Sequence, residues 1–294
     1  MRRNLKGKKP LNIQLECVSC LISQSLRAAV AVTDDLSLQE QVVREVLRLL
    51  AGIDYSTPQP VVAQFVYRRV RELTGVEDPY REAKHAFNRL GLALLPELRA
   101  RVAASPEPLL AAARLAASAN LMDLGARTDL TEAEVAAALR EALEAPLAGD
   151  DGTFVRRAAE AGSILYLADN AGEIALDRLL IEVLGPSRVT VAVRGRAVIN
   201  DALLEDAREV GLTELVTVID NGSDAPGTIL SDCSPAFLEH YHAADLIIAK
   251  GQGNYESLSH EPADIFFIFK VKCPVLGEHA GLPLGSLALL ASRS

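Results

Sequence analysis

Past residue 150 the chain alternates short apolar runs with stretches of helical periodicity, and few folds accept that pattern. The runs cover residues 164–168, 189–193, 215–219, 246–249 and 265–269, with helix-like segments at 174–184 and 203–210 between them. Each run is too short for a stable helix and reads as a strand buried on both faces. Strands separated by helices imply βαβ units, a mainly parallel sheet and right-handed crossovers. The first half has a different rhythm. Val18, Leu21, Ile22, Leu26 and Ala29 recur at helical spacing, as do Leu38, Val42, Val46 and Leu50, then Val62, Val66, Val70 and Leu73. Asp78-Pro79 reads as a cap followed by Pro at the first helical position. The expected fold is therefore α/β. A helical N-terminal part (1–150) joins a Rossmann-like three-layer α/β/α domain (151–294) with a mainly parallel sheet, in one compact unit.

Composition narrows the function. At 294 residues the chain can bury a large core, and its net charge of −9 argues against a general nucleic-acid surface. Residues 1–10 are basic but too few to reverse this, and read as a mobile tail. No secretory leader is evident. No segment reads as apolar over a length that would span a bilayer. A soluble cytoplasmic protein is expected. The four cysteines are Cys17, Cys20, Cys233 and Cys273, too scattered for a disulfide framework. Cys17 and Cys20, one helical turn apart, suit either a shared metal or redox pair or two half-buried small residues on a helix. A zinc site needs about four ligands, and no second such pair occurs.

In open parallel sheets ligands bind beyond the carboxyl ends of the strands. Those positions hold Asp169-Asn170-Ala171-Gly172-Glu173, then Asn200-Asp201, then Asp220-Asn221-Gly222-Ser223-Asp224, and finally Lys250-Gly251-Gln252-Gly253-Asn254-Tyr255-Glu256. Each has a plainer reading. Asp169-Asn170 and Asp201 suit helix caps, and Asn221-Gly222 suits a turn. Lys250, ending a strand as apolar as Leu-Ile-Ile-Ala, needs water or an anion. Gly251 and Gly253 permit close backbone approach but lack the spacing of a dinucleotide fingerprint. Two carboxylates and an amide oxygen form a hard-ligand set for Mg²⁺, Mn²⁺ or another divalent ion such as Ni²⁺ or Co²⁺. A lysine and helix-start N–H groups beside it would hold a phosphate. Such parts suit hydrolysis of a phosphate ester by an activated water. The alternative of an aspartyl nucleophile in a DxD motif is not met by Asp169-Asn170-Ala171.

ADNAGE at 168–173, Asn200-Asp201, and KGQGNYE at 250–256 together resemble the damage-control phosphatase family. Glu16-Cys17-Val18-Ser19-Cys20-Leu21 is similar to the CxxC of its bacterial and archaeal branch. Asn120-Leu121-Met122-Asp123-Leu124-Gly125 resembles its GN-x-x-D-x-G segment, with Ala119 in place of the usual Gly, and Lys272-Cys273-Pro274 a segment near its C-terminus. The resemblance implies a helical part joined to a Rossmann-like part. It implies a divalent metal on Asp169, Asn170 and Asp201, and a phosphate site at Lys250, Gly251 and Asn254 with Glu256 close behind. Gly172 and Glu173 would complete the first loop, and Asn120 and Asp123 would bring the helical part to the cleft. Asp169 or Asp201 would orient the attacking water, and the partner would be a small phosphorylated metabolite. Two other readings share part of this evidence. One is a non-catalytic metal or phosphometabolite binder; the other is a methyltransferase using S-adenosylmethionine, which lacks its glycine-rich loop here.

Overall fold

The computed structural model describes residues 11–119 and 132–292. Asn120 and Asp123 lie outside the described residues, as does the basic stretch 1–10. Six helices come first: α1 (Leu15–Val32), α2 (Leu36–Ala51), α3 (Gln59–Thr74), α4 (Arg81–Ala104), α5 (Pro108–Ser118) and α6 (Glu132–Ala142). Then follow β1 (Leu147–Gly149), α7 (Asp151–Glu160), β2 (Ile164–Leu167), α8 (Glu173–Leu184), β3 (Val189–Val193), α9 (Leu204–Glu209) and β4 (Thr217–Asp220). The chain closes with α10 (Pro235–Ala243), β5 (Leu246–Lys250), α11 (Gly251–Leu258), β6 (Ile265–Lys270), α12 (Pro274–Ala280) and β7 (Leu287–Ala291).

The strands form one sheet in the order β1-β7-β6-β5-β2-β3-β4, parallel throughout except for the β6–β7 pair. Side chains alternate between the faces with the two-residue period of a strand. Ile164 and Tyr166 of β2, Leu246 and Ile248 of β5, and Phe266 and Ile268 of β6 pack under α4, α5, α7 and α8. Leu165, Leu167, Ile247, Ala249, Phe267 and Phe269 pack under α10, α11 and α12. This is the expected three-layer arrangement. From β2 the chain steps to β3 and β4 on one side, then crosses to β5 on the other. The switch point lies between β2 and β5, where ligands of such sheets bind.

Several expectations need correction. Two strands, β1 and β7, were not anticipated. The strand expected at 215–219, β4, begins at Thr217 because the N–H groups of Leu215 and Val216 both donate to Leu212 O and close a turn after α9. Helix α4 begins at Arg81, not at Pro79. The Asp78 carboxylate accepts from Tyr80 N in a turn before it and pairs with the buried Lys84 ammonium. Helices α4 and α5 share one core with the sheet, while α1, α2 and α3 have a small core of their own around Ile13, Leu21, Val46, Val62 and Val66. Contrary to expectation, α1 is long and apolar enough by length and composition to cross a bilayer. Its Leu21, Ser25, Ala28 and Ala29 are buried, so an amphipathic helix rich in small residues passes the same test.

At Gly91, helix α4 packs closely against the start of α8. A Cβ there would stand 2.8 Å from both Ala175 Cβ and Gly172 O. In an ordinary helix Gly→Ala adds about 1 kcal/mol. Here the added methyl must displace backbone, so Gly91→Ala is expected to cost about 1–3 kcal/mol instead. Urea denaturation of the two proteins checks the sign.

Candidate active site

The loop after β2 and the loop after β3 are stitched together by backbone. Ala202 N donates to Asp169 O (2.8 Å), Ala171 N donates to Asn200 O (2.9 Å), and Asn170 and Asp201 form an isolated antiparallel bridge. Asp169 and Asp201 thus come side by side, both buried. The turn that presents Asp201 is strained. Ile199 holds φ at +45°, a region that β-branched residues avoid. Asn200 beside it keeps both ends of its buried amide without a hydrogen bond.

Neither acid caps a helix. Helix α8 is preceded by Gly172 at φ +79°, with no side-chain cap. Asp201 lies three residues before α9, whose entry is closed by Asp206 accepting from Leu203 N. The Asn170 amide instead spends its hydrogens on Asp169 Oδ2 (3.0 Å) and Glu173 Oε1 (2.7 Å). That leaves Oδ1 as the end that could accept a cation. Gly172 N donates to Oδ1 of Asn88 on α4 (2.7 Å), and the Asn88 amide nitrogen donates to Asp206 and Glu209 of α9.

From the β5 side, a Cβ on Gly251 would collide with the Asp169 carboxylate, and its φ of +78° also favours glycine. Asn254 is fully buried and donates to Lys250 O (2.7 Å) and Ala168 O (3.2 Å), tying α11 to the end of β2. Lys250 departs from expectation. Its ammonium is buried and bonded to Asp177 (2.6 Å) and Glu173 (3.2 Å), so the anions it meets are the protein's own. Burial alone would lower its pKa, but the two carboxylates outweigh that and hold it above the ordinary value. Burial pushes Asp177 up to about 6, with Lys250 pulling it back. Asp177 was missed although a signal existed: it is an acid one turn beyond Glu173 in a mainly apolar helix.

Arg194 and Lys272 were also missed as site residues. Arg194 follows directly on β3 and is 2 % exposed, and its Nε donates to Asp201 Oδ2 (2.7 Å). The rule that singled out Asp201 applies equally to this strand end. Lys272, half-buried after β6, acts electrostatically on Asp169. Burial, then the charges of Asp201 and Glu173, raise Asp169 well above the usual carboxylate range, against the pull of Arg194 and Lys272. Crowded carboxylates that resist ionisation together favour a bound cation. Among the described residues no three His, Cys, Asp or Glu side chains form a metal cage; the oxygen set here is two aspartates and an asparagine amide.

Glu256 is buried one turn beyond Gln252, which donates to it (2.7 Å). Cys17, Cys20 and Cys273 lie within electrostatic reach of one another, with Glu256 close to Cys17 and Cys273, and burial raises the Cys17 and Cys273 thiols. The Asp220-Asn221-Gly222 segment is a turn, as expected, with Gly222 N and Ser223 N donating to Asp220 and Asn221. Asp224 beyond it receives Gln64, Arg68 and Arg71 of α3, while Arg71 also donates to Ala197 O (2.7 Å). The N-terminal helices thereby grip the loops after β3 and β4.

Residues 13–287 match the Damage-control phosphatase ARMT1-like domain. The chain belongs to this family. It is 34% identical over 279 residues to a damage-control phosphatase of Archaeoglobus fulgidus, covering 92% of this chain and 96% of that one. It is 29% identical to the damage-control phosphatase PH1575 of Pyrococcus horikoshii, over 96% of this chain and 99% of that one. The crystal structure of PH1575, a DUF89 family protein, superposes with a TM-score of 0.87 over 96% of this chain and 99% of that chain.

Two outcomes follow from the buried charges. Lys250→Met strands Glu173 and Asp177 without their cation, and is expected to cost about 3–5 kcal/mol. Adding Asp177→Asn should recover part of that loss in urea denaturation. Burial pushes Glu256 from 4.5 up to about 7, with Gln252 opposing. A carboxyl whose pKa is raised by folding adds stability below pH 4.5 that is lost as pH rises toward 7. The loss is on the order of 3 kcal/mol. Thermal unfolding at pH 5 and pH 8 should show this slope in the wild type and a flatter one in Glu256→Gln.

Proposed function

We propose that the chain is a metal-dependent phosphatase acting on a small phosphorylated metabolite, in keeping with the names its relatives carry. The observation that carries this reading is the juxtaposition of Asp169 and Asp201, held by backbone at the switch point with cationic Arg194 and Lys272 around them. Asp169, Asn170 through Oδ1, and Asp201 would hold a divalent ion. When bound, that ion supplies Lewis-acid polarisation of a phosphoryl oxygen and activation of water. Their all-oxygen donor set suits Mg²⁺ or Mn²⁺, and a Ni²⁺ or Co²⁺ ion is also compatible.

The chain's own residues divide the remaining work. Asn170 keeps Asp169 and Glu173 in register through its two N–H bonds. Lys250 fixes Glu173 and Asp177 from beneath, so it serves as a positioning residue and leaves Lys272 as the half-buried lysine that attracts phosphate. Gly251 admits the Asp169 carboxylate against the start of α11. Glu256, Asn120 and Asp123 are assigned to the substrate side of the cleft from the family resemblance.

Hydrolysis of small phosphate esters should depend on an added divalent ion. Asp169→Ala should lower kcat/KM at least about 100-fold while the protein keeps its fold by circular dichroism. Wild-type turnover that survives chelation, or an Asp169→Ala protein as active as the parent, would contradict the proposal.

A further inference from the structure

Arg194 carries more hydrogen-bond capacity than the protein uses. Its guanidinium is buried and pinned at two atoms, Nε on Asp201 Oδ2 (2.7 Å) and Nη1 on Asn254 Oδ1 (3.4 Å). The third nitrogen, Nη2, is also buried and has no hydrogen-bond partner; its charge partner is Asp169 Oδ1, 3.8 Å away. A counter-ion for Asp201 needs only one N–H. Because a guanidinium is planar, fixing Nε and Nη1 also fixes the direction of Nη2. It is directed at the space beside Asp169, the residue on which the two stitched loops and α11 converge. Buried charged donors in native proteins are almost always paired, so an orphaned one in a site calls for an acceptor that arrives with a ligand.

We propose that Arg194 is a catalytic residue that grips a nonbridging phosphoryl oxygen through Nη2 while its Nε keeps Asp201 in place. The ligand class this selects is an oxyanion with an acceptor beside Asp169, namely a phosphate monoester or free phosphate. This inference rests on the phosphatase reading of the same site and adds the residue that would carry the phosphoryl charge there. The geometry separates two jobs within one side chain. A lysine at 194 can still pair with Asp201 but cannot offer a second, oriented donor.

The decisive measurement is binding of inorganic phosphate to the full-length protein by calorimetry, with Mn²⁺ present, alongside Mn²⁺ binding itself and ester hydrolysis. For Arg194→Lys we expect phosphate affinity to fall at least about 10-fold and kcat/KM about 100-fold, with Mn²⁺ affinity changed by less than about 3-fold. Arg194→Met should lose phosphate binding further, and thermal unfolding of both variants identifies any that fail to fold. Unchanged phosphate affinity in Arg194→Lys, with ester hydrolysis intact, overturns the role of Arg194 and leaves the phosphatase reading standing. Weakened Mn²⁺ binding with unaltered phosphate binding also overturns it, reducing Arg194 to a support for Asp201. Arg194-dependent phosphate binding in a wild type that hydrolyses no ester supports the clamp and defeats the phosphatase reading.

Discussion

Two carboxylates on separate loops repel, and only a stiffer attachment can keep them together. Here that attachment is backbone. The bonds from Ala202 N to Asp169 O and from Ala171 N to Asn200 O lie on either side of the acids they juxtapose. A main-chain bridge suits this task better than a side-chain contact, since it orders no long rotamers and does not titrate. It also explains why strain is tolerated at Ile199: the turn there must reverse within a few residues to place Asp201 against Asn170. Around this stitch the two deepest cations have defined counterparts. Lys250 answers Glu173 and Asp177, and Arg194 answers Asp201.

The helices matter because they set the depth of the loops. Asn88 of α4 touches the first loop through Gly172 N and the end of α9 through Asp206 and Glu209. It therefore fixes the spacing between the segments that carry the two acids. Close approach at Gly91 and Gly172 lets α4 sit near enough for an asparagine to reach. Farther along, α3 holds the loops after β3 and β4 through Arg71, Arg68 and Gln64. In family terms, the α/β part supplies the acids and the helical part supplies the frame that keeps them at one level.

Much of this was legible in the sequence, for reasons that are themselves physical. Strands 164–168 and 246–249 are apolar and bounded by glycine and polar residues, so their ends could be located to within a residue. The rule that ligands gather beyond strand ends then singled out Asp169, Asp201 and the 250–256 segment, of which the structure brings Asp169, Asp201, Gly251 and Asn254 together. Three kinds of information were out of reach. β1 has only three residues, and β7, Leu-Ala-Leu-Leu-Ala, is buried on both faces, so periodicity cannot separate it from a helix. Helix α5 is buried all round, so its pattern does not reveal which neighbours it covers. The partner of Lys250 was hidden because Asp177 lies 73 residues away and meets it only across the β5–β2 neighbourhood.

The surroundings of Lys250 bear on how such a site is built. A lysine at the end of a buried strand was expected to greet an incoming phosphate, yet burial makes an ammonium costly unless permanent anions surround it. Glu173 and Asp177 provide those anions, and Glu173 in turn accepts from Asn170 of the first loop. The cation thus acts through the loop it stiffens. A transient anion is better met by a donor the fold leaves unspent, and the Nη2 of Arg194 is one such donor. The contrast is one of saturation: Lys250 is held by two carboxylates, whereas Arg194, equally buried, keeps one nitrogen without a hydrogen bond where the two stitched loops meet the switch point.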